Sequence, residues 1–390
     1  MCALRLLFLV SMGLAGLQRV GLRVLRPLNP RTPSKRSCCR SSTMSSSTLS
    51  KTEVVTGRTD DMKGKNVIVT GANSGIGFAL SKALVSRGAH VTVASRDKAK
   101  IAEAAESLQQ VISEAGSSGS ADALHLDLQS FRSIKEFVTK YQESNKHLDI
   151  LVNNASIFIG KDNMTEDGLE VTMQTNFHGP MALTQLLMPK LKDSAPSRIV
   201  WTSSGLESIG SLPDLDNPEA LEGHGMKDDI WTYGTTKLLL LMACKEMVKR
   251  LEGTGVTCVT AWPGIADTGI PGKQDYSKFQ SWIMLAGFKG YGQSPENGAK
   301  PLVYACCAPE NDLREKGLAG DVMYGPIHNR LPYFPFAGFP AATLNAFGFS
   351  TELNVTDDTP KNPAVQDAEQ CTKVYEKTME VLKSKGALTL

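Results

Sequence analysis

The sequence predicts a single doubly wound α/β domain, with a seven-stranded parallel sheet covered by helices on both faces. Three observations carry this expectation. Seven short apolar runs alternate with helix-period stretches, the runs are apolar throughout, and a glycine-rich turn joins the first run to the first helical stretch.

The runs occupy residues 66–70, 90–94, 123–126, 149–152, 198–202, 256–261 and 321–324. A run such as Val67-Ile68-Val69 is what a strand buried on both sides requires. Helix-period segments fall between the runs at 78–87, 98–114, 130–143, 169–192 and 232–251, and 364–385 reads as a closing amphipathic helix. Two stretches break the rhythm. Residues 206–230 are rich in Asp, Gly and Pro, and 328–360 contain Leu-Pro-Tyr-Phe-Pro-Phe-Ala-Gly-Phe-Pro at 331–340. Loops this long are uncommon unless they cover a site or are disordered. The second reads either as a substrate lid or membrane-touching lip, or as a surface wrap packed onto the core.

The first 55 residues differ in kind and are set apart as a leader. Ala3 to Leu17 is largely apolar with Arg5 its only charge. That is shorter than the roughly 20 residues a membrane span needs. Arg19, Arg23, Arg26, Arg31, Lys35, Arg36 and Arg40 follow, then a serine-rich run, and no acidic residue precedes Glu53. An acid-free, Arg- and Ser-rich leader reads as a transit peptide to a plastid or mitochondrion. Two other readings stay open. One is an anchor holding a cytosolic-facing domain on the endoplasmic reticulum membrane; the other is a start at Met44.

Composition is ordinary for a globular chain of 390 residues, 41% hydrophobic and 21% charged, with a net charge of +2. Nothing there points to nucleic acid. The eight cysteines form no Cys-x-x-Cys pair and no Cys/His ligand set, so neither a metal site nor a disulfide framework is expected.

Behind the first run stands Thr70-Gly71-Ala72-Asn73-Ser74-Gly75-Ile76-Gly77. Glycines let the backbone turn tightly and approach a pyrophosphate without a Cβ in the way. A helix N-terminus then offers free N–H groups to the phosphates. The second run ends Val93-Ala94-Ser95-Arg96. A carboxylate there would hydrogen-bond an NAD ribose; Ser95 with Arg96 beside it suits a 2′-phosphate, so NADP(H) is expected. Asp97 reads as the cap of the next helix. Asp127, after the third run, is placed to touch the adenine edge. Asn153-Asn154-Ala155 ends the fourth run, where ligands gather in open sheets; the asparagines read equally as strand-end turn residues.

Tyr233-Gly234-Thr235-Thr236-Lys237 lies on a helical stretch, and residues four apart share a face. A free tyrosine with pKa near 10 is a poor base at neutral pH. A neighbouring lysine charge, together with an oxidised nicotinamide, is expected to favour the phenolate. The phenol can then give a proton to a carbonyl oxygen or take one in reverse. Ser204, just past the fifth run, would hydrogen-bond that oxygen; Ser203 is the runner-up.

On these motifs the sequence resembles the short-chain dehydrogenase/reductase family from about Lys65 to Tyr324. The resemblance implies a Rossmann-like domain, with Ser204, Tyr233 and Lys237 catalytic and Asn176 holding a proton-relay water. It implies cofactor contacts by Gly71, Asn73, Ser74, Gly75, Ile76, Gly77, Arg96, Asp127, Asn154, Tyr233 and Lys237. Pro263-Gly264-Ile265 with Thr268 corresponds to the family's nicotinamide-carboxamide segment.

Two departures narrow the reading. The family's Asn-Asn-Ala-Gly is Asn153-Asn154-Ala155-Ser156 here, and the Ser204-to-Tyr233 spacing is longer than in most members. Long spacing is similar to the retinol dehydrogenase and protochlorophyllide reductase branch. The pigment reductases' cysteine after Pro-Gly is replaced by Ile265, which disfavours that alternative. A lipophilic carbonyl or alcohol is the expected substrate. The expected organisation is a catalytic domain over 60–330 and an apolar lid segment with a closing helix over 331–390. Membrane contact through the N-terminus or 331–345 is compatible with the sequence, as is a homo-oligomer. Rival functions are an idle NADP-binding sensor, which has no need of all four catalytic groups, and an epimerase or lyase using the cofactor transiently.

Overall fold

The computed structural model describes residues 61–158, 164–226, 230–264, 266, 294–310, 313, 323–326, 355–358 and 360–390. Its strands are β1 Asn66–Thr70, β2 His90–Ser95, β3 Ser120–His125, β4 Ile150–Asn153, β5 Ser197–Thr202, β6 Val256–Ala261, β7 Met323–Pro326 and β8 Val355–Asp358. They form one sheet in the order β3-β2-β1-β4-β5-β6-β7-β8. Strands β1 to β7 pair in parallel, as expected of a Rossmann-like domain. The order reverses between β1 and β4, which is where ligands bind in such sheets.

The sheet has one strand more than the sequence suggested. β8 runs antiparallel to β7, within the stretch read as irregular. Val355-Thr356-Asp357-Asp358 is short and half acidic, so nothing in its apolar pattern marks it; an edge strand needs no buried face on both sides. The leader, residues 331–345, Ile265 and Thr268 lie outside the described residues.

The helices are α1 Gly75–Val85, α2 Lys98–Ala115, α3 Phe131–Glu143, α4 Gly179–Asp193, α5 Pro218–Glu222, α6 Ile230–Arg250, α7 Pro295–Cys307 and α8 Ala368–Ser384. Successive strand residues point to opposite faces, and two apolar cores result. Val67 and Val69 pack with α1, α2 and α7 residues such as Leu80, Leu108 and Leu302. Ile68 faces the other way, toward Phe137, Leu183, Leu239 and Val374 of α3, α4, α6 and α8. Asp97 caps α2 as expected, accepting from the N–H groups of Ala99 and Lys100, each at 3.1 Å.

The helix expected over 169–192 is interrupted. A short turn Val171–Met173 leads into a π-helical turn, Gln174–His178, before α4 begins. Pro180 has no N–H to continue the ordinary ladder back to Asn176, and a widened turn absorbs the break. His178 in this turn is fully buried, its Nε2–H donating to the Leu221 carbonyl at 2.9 Å. Burial drives its pKa down to about 4.

An unfolded histidine titrates near 6.5, so below that pH the unfolded chain takes up a proton that the folded chain refuses. Stability from this group is therefore complete above pH 6.5. It falls by about 3 kcal/mol as pH drops to about 4. Denaturant titrations of wild type and His178→Gln between those pH values check this. The glutamine variant should lack the step; parallel curves would contradict it.

Candidate active site

The glycine turn is built as the start of α1. Gly71 has φ of +67° and Gly75 of +57°, a region that favours glycine. Gly77 has no room for a side chain: an added Cβ would lie 2.4 Å from the Gly71 carbonyl oxygen and 2.6 Å from Asn154 Nδ2. Thr70 ties the turn to β4. Its hydroxyl donates to the Val152 carbonyl at 3.2 Å and accepts from the N–H groups of Asn154 and Ala155, each at 2.9 Å. Asn154 Nδ2 donates to the Thr70 carbonyl at 2.9 Å. Asn154 thus braces the loop, in keeping with the strand-end reading of this residue. The first turn of α1 carries no acidic residue, so its N–H groups and positive dipole end are free of a competing carboxylate. Asn73, Ser74 and Ile76 lie in the same turn, with Ile76 buried. These residues fit a dinucleotide pyrophosphate: the turn closes only without a Cβ at Gly77, and it leaves the main-chain N–H groups at the start of α1 unshielded by side chains there.

Arg96 stands exposed just past β2, with no hydrogen bond or ion pair among the described residues. Asp97 beside it is occupied by its cap and by Lys100 at 2.9 Å. Asp127, after β3, uses Oδ1 to accept the Gln129 N–H at 3.0 Å, while its own N–H donates to Ser133 at 3.0 Å. That carboxylate shapes its turn and stays half-exposed.

Ser204 follows β5 and caps the 3-10 turn Gly205–Ile209, accepting the Leu206 N–H at 3.2 Å. Tyr233 and Lys237 sit one turn apart on α6, with Lys237 Nζ 5.5 Å from the phenol ring centroid. Lys237 is buried and donates to the Thr202 carbonyl at 2.9 Å. Asn176 uses its whole amide. Oδ1 accepts the Ile157 N–H at 2.8 Å, and Nδ2 donates to the Ile157 carbonyl at 2.8 Å and to Thr236 Oγ1 at 3.3 Å. It staples the loop after β4 to the helix of Tyr233. Pro263 and Gly264 follow β6, with Gly264 at φ of +71°. Ser203 is buried and its hydroxyl has no partner among the described residues.

The expected lowering of the Tyr233 pKa joins Lys237 to an oxidised nicotinamide; among the protein's own groups other causes act on the phenol first. Burial raises the phenol above its ordinary value, and the opposing pull comes first from Ser204 and then from Ser156. Burial also brings Lys237 itself down to about 7. A lysine that titrates near neutral pH is only partly charged there and holds a phenolate less firmly.

Sequence reasoning passed over Ser156, Phe158 and Thr70. The Phe158 ring packs 4.9 Å from that of Tyr233. Only Ser156 left a signal, as a departure from the family motif.

A parallel sheet with a glycine-built helix start at its switch point is the fold of a dinucleotide-binding enzyme. Comparison with known proteins narrows that class. The short chain dehydrogenase family model matches residues 65–212. Retinol dehydrogenase 14 of Mus musculus is 35% identical over 255 residues, covering 64% of this chain and 75% of its own. Retinol dehydrogenase 13 of Homo sapiens is 37% identical over 254 residues, covering 63% and 73%. A solved, uncharacterised protein from Mycobacterium paratuberculosis superposes with a TM-score of 0.58 at 25% identity, over 83% of this chain and 96% of that one. The chain belongs to the short-chain dehydrogenase/reductase family, in its retinol dehydrogenase-like branch, and is a hydride-transfer oxidoreductase that uses a nicotinamide cofactor. No helix among the described residues is long and apolar enough to cross a membrane.

Proposed function

We propose that this oxidoreductase is NADP(H)-dependent and interconverts a lipophilic carbonyl compound and its alcohol, with Tyr233 moving the proton. The observation that carries the reading is the meeting of Ser204, Tyr233 and Lys237 at the carboxyl ends of the strands. When bound, the cofactor supplies or takes the hydride. Tyr233 Oη gives its proton to the carbonyl oxygen as that oxygen gains charge, and takes it back in the alcohol direction. Ser204 holds the same oxygen and lowers the phenol's pKa by hydrogen bonding. Lys237, anchored on Thr202, places a partly charged ammonium 5.5 Å from the ring centroid. Asn176 holds the Ile157 loop against α6 and so fixes the wall of the site.

Gly71 to Gly77 would cradle the pyrophosphate, Asp127 and Asn154 would flank the adenosine, and Pro263 to Thr268 would meet the carboxamide. A lipophilic substrate is supported by the relatives, which are named retinol dehydrogenases. The apolar ring of Phe158 beside the phenol agrees, its centroid 4.9 Å from that of Tyr233. The leader before residue 55 would direct the domain to an organelle or tether it to a membrane.

A panel of lipophilic aldehydes, ketones and alcohols assayed with both cofactors tests the reading. Turnover with NADPH and a retinoid-like carbonyl is expected; activity confined to small polar substrates or to NADH would contradict it.

Arg96 gives a sharper check of cofactor choice. An unpaired guanidinium suits a 2′-phosphate, and charged hydrogen bonds of this kind are worth about 1.5–3 kcal/mol. Arg96→Ala is therefore expected to weaken NADPH by roughly 10- to 100-fold and leave NADH within about twofold. Equal losses for both cofactors would remove the basis for the NADP assignment.

A further inference from the structure

The turn that carries Ser204 is gripped by a distant part of the chain. Glu207, in the middle of that turn, is fully buried. Its Oε1 accepts the Lys361 N–H at 2.7 Å and its Oε2 accepts the Asn362 N–H at 3.0 Å. Asn362 answers in the other direction. Its Nδ2 donates to the Glu207 carbonyl at 3.2 Å and to the Gly210 carbonyl at 2.9 Å. Its Oδ1 accepts the Ala364 N–H at 3.1 Å, opening the 3-10 turn Pro363–Gln366 that leads into α8.

A buried carboxylate is tolerated only when its lone pairs are filled. Here both oxygens are spent on main-chain donors, and the side chain opposite is spent on main-chain acceptors. Such a clasp fixes the path of two backbones relative to each other. The other flank of the turn is fixed as tightly. A Cβ on Gly210 would lie 2.5 Å from the Gly234 carbonyl oxygen, the residue next to Tyr233. The Ser204 turn is thus wedged between the helix of the phenol and the chain at 361–362.

We propose that Glu207 is a positioning residue for Ser204, and that its clasp with Asn362 makes hydride transfer depend on the chain beyond residue 360. The proposal rests on the role given to Ser204 above. Glu207 touches no reacting atom. It holds the turn so that the Ser204 hydroxyl meets the Tyr233 phenol and the substrate oxygen in one place, and a shift of about 1 Å in such a group can cost about a hundredfold in rate.

The test is a cycle of wild type, Ser204→Ala, Glu207→Ala and the double variant, with Asn362→Ala as a milder break from the opposite side. For each, kcat and KM are measured with the best carbonyl of the panel. NADPH affinity and melting temperature are measured alongside. Glu207→Ala and Asn362→Ala are expected to lower kcat by about tenfold or more well below their melting temperatures, with NADPH affinity within about twofold of wild type. In the Ser204→Ala background, Glu207→Ala should cost no more than about twofold further, because the serine it positions is already gone.

A merely structural role would lower the melting temperature and leave kcat intact. Unchanged kcat in folded Glu207→Ala or Asn362→Ala, or losses that multiply in the double variant, would overturn the proposal. Wild-type kcat in Ser204→Ala would instead remove the reading beneath it, and the proposal with it.

Discussion

Replacing Tyr233 by phenylalanine is expected to lower kcat by roughly a thousandfold while leaving NADPH affinity nearly unchanged. The substitution deletes one oxygen. The ring keeps its packing 4.9 Å from Phe158, and α6 keeps its buried face in the core. Lys237 stays bound to the Thr202 carbonyl. What disappears is the atom on which Ser204 and Ser156 act, and with it the phenol proton positioned for the substrate oxygen. Positioned general acids contribute about 10²–10⁴ in rate, and Lys237, the other titrating group nearby, is turned to the Thr202 carbonyl. Steady-state kinetics with fluorescence titration of NADPH check both halves. A phenylalanine variant with near-normal kcat would remove Tyr233 from the chemistry.

Gly77→Ala is expected to abolish cofactor binding by way of the backbone. The new Cβ would come within 2.4 Å of the Gly71 carbonyl oxygen, 2.6 Å of Asn154 Nδ2 and 2.9 Å of the Gly71 carbonyl carbon. None of these can retreat cheaply. Gly71 N–H is bound to the Ala94 carbonyl at 2.8 Å, and Asn154 is held on Thr70 through both its backbone and its amide. Overpacking of this kind costs about 1–3 kcal/mol in stability. The turn must also open, and losing two charge-assisted contacts to phosphate costs about 3–6 kcal/mol of binding, a hundredfold or more. Gly116→Ala is the control. Gly116 has a positive φ, +58°, which Gly77 does not, and a Cβ there would meet nothing within 4 Å. That variant should lose a little stability and no cofactor affinity. Equal NADPH affinity in the Gly77 and Gly116 variants would mean that the glycine turn is not the phosphate cradle.

The legible parts of this molecule are those written locally. Val67-Ile68-Val69 announced a strand buried on both faces, and Gly71 to Gly77 announced the turn behind it. The Tyr233 to Lys237 spacing announced a shared helical face. Arg96 could be singled out because a missing carboxylate is visible in one short stretch. What escaped notice depends on distance. Glu207 and Asn362 lie 155 residues apart in sequence, and neither has a motif. β8 is too short and acidic to show an apolar pattern. The π turn around Asn176 arises where Pro180 breaks the helical ladder, and periodicity alone smooths over such a break. The phenol's acidity could not be read from spacing at all. Proximity of a lysine suggests a lowered pKa, but burial acts on both groups at once, raising the tyrosine and bringing Lys237 down to about 7.

Mass spectrometry of the alcohol formed from a lipophilic carbonyl and NADPH carrying deuterium on the reactive nicotinamide carbon tests the chemistry most directly. The expected result is one deuterium on the carbinol carbon with wild-type protein, and no product above background with Tyr233→Phe over the same interval. Unlabelled product, or labelled product formed as fast by the phenylalanine variant, would contradict a hydride transfer driven by the Tyr233 proton.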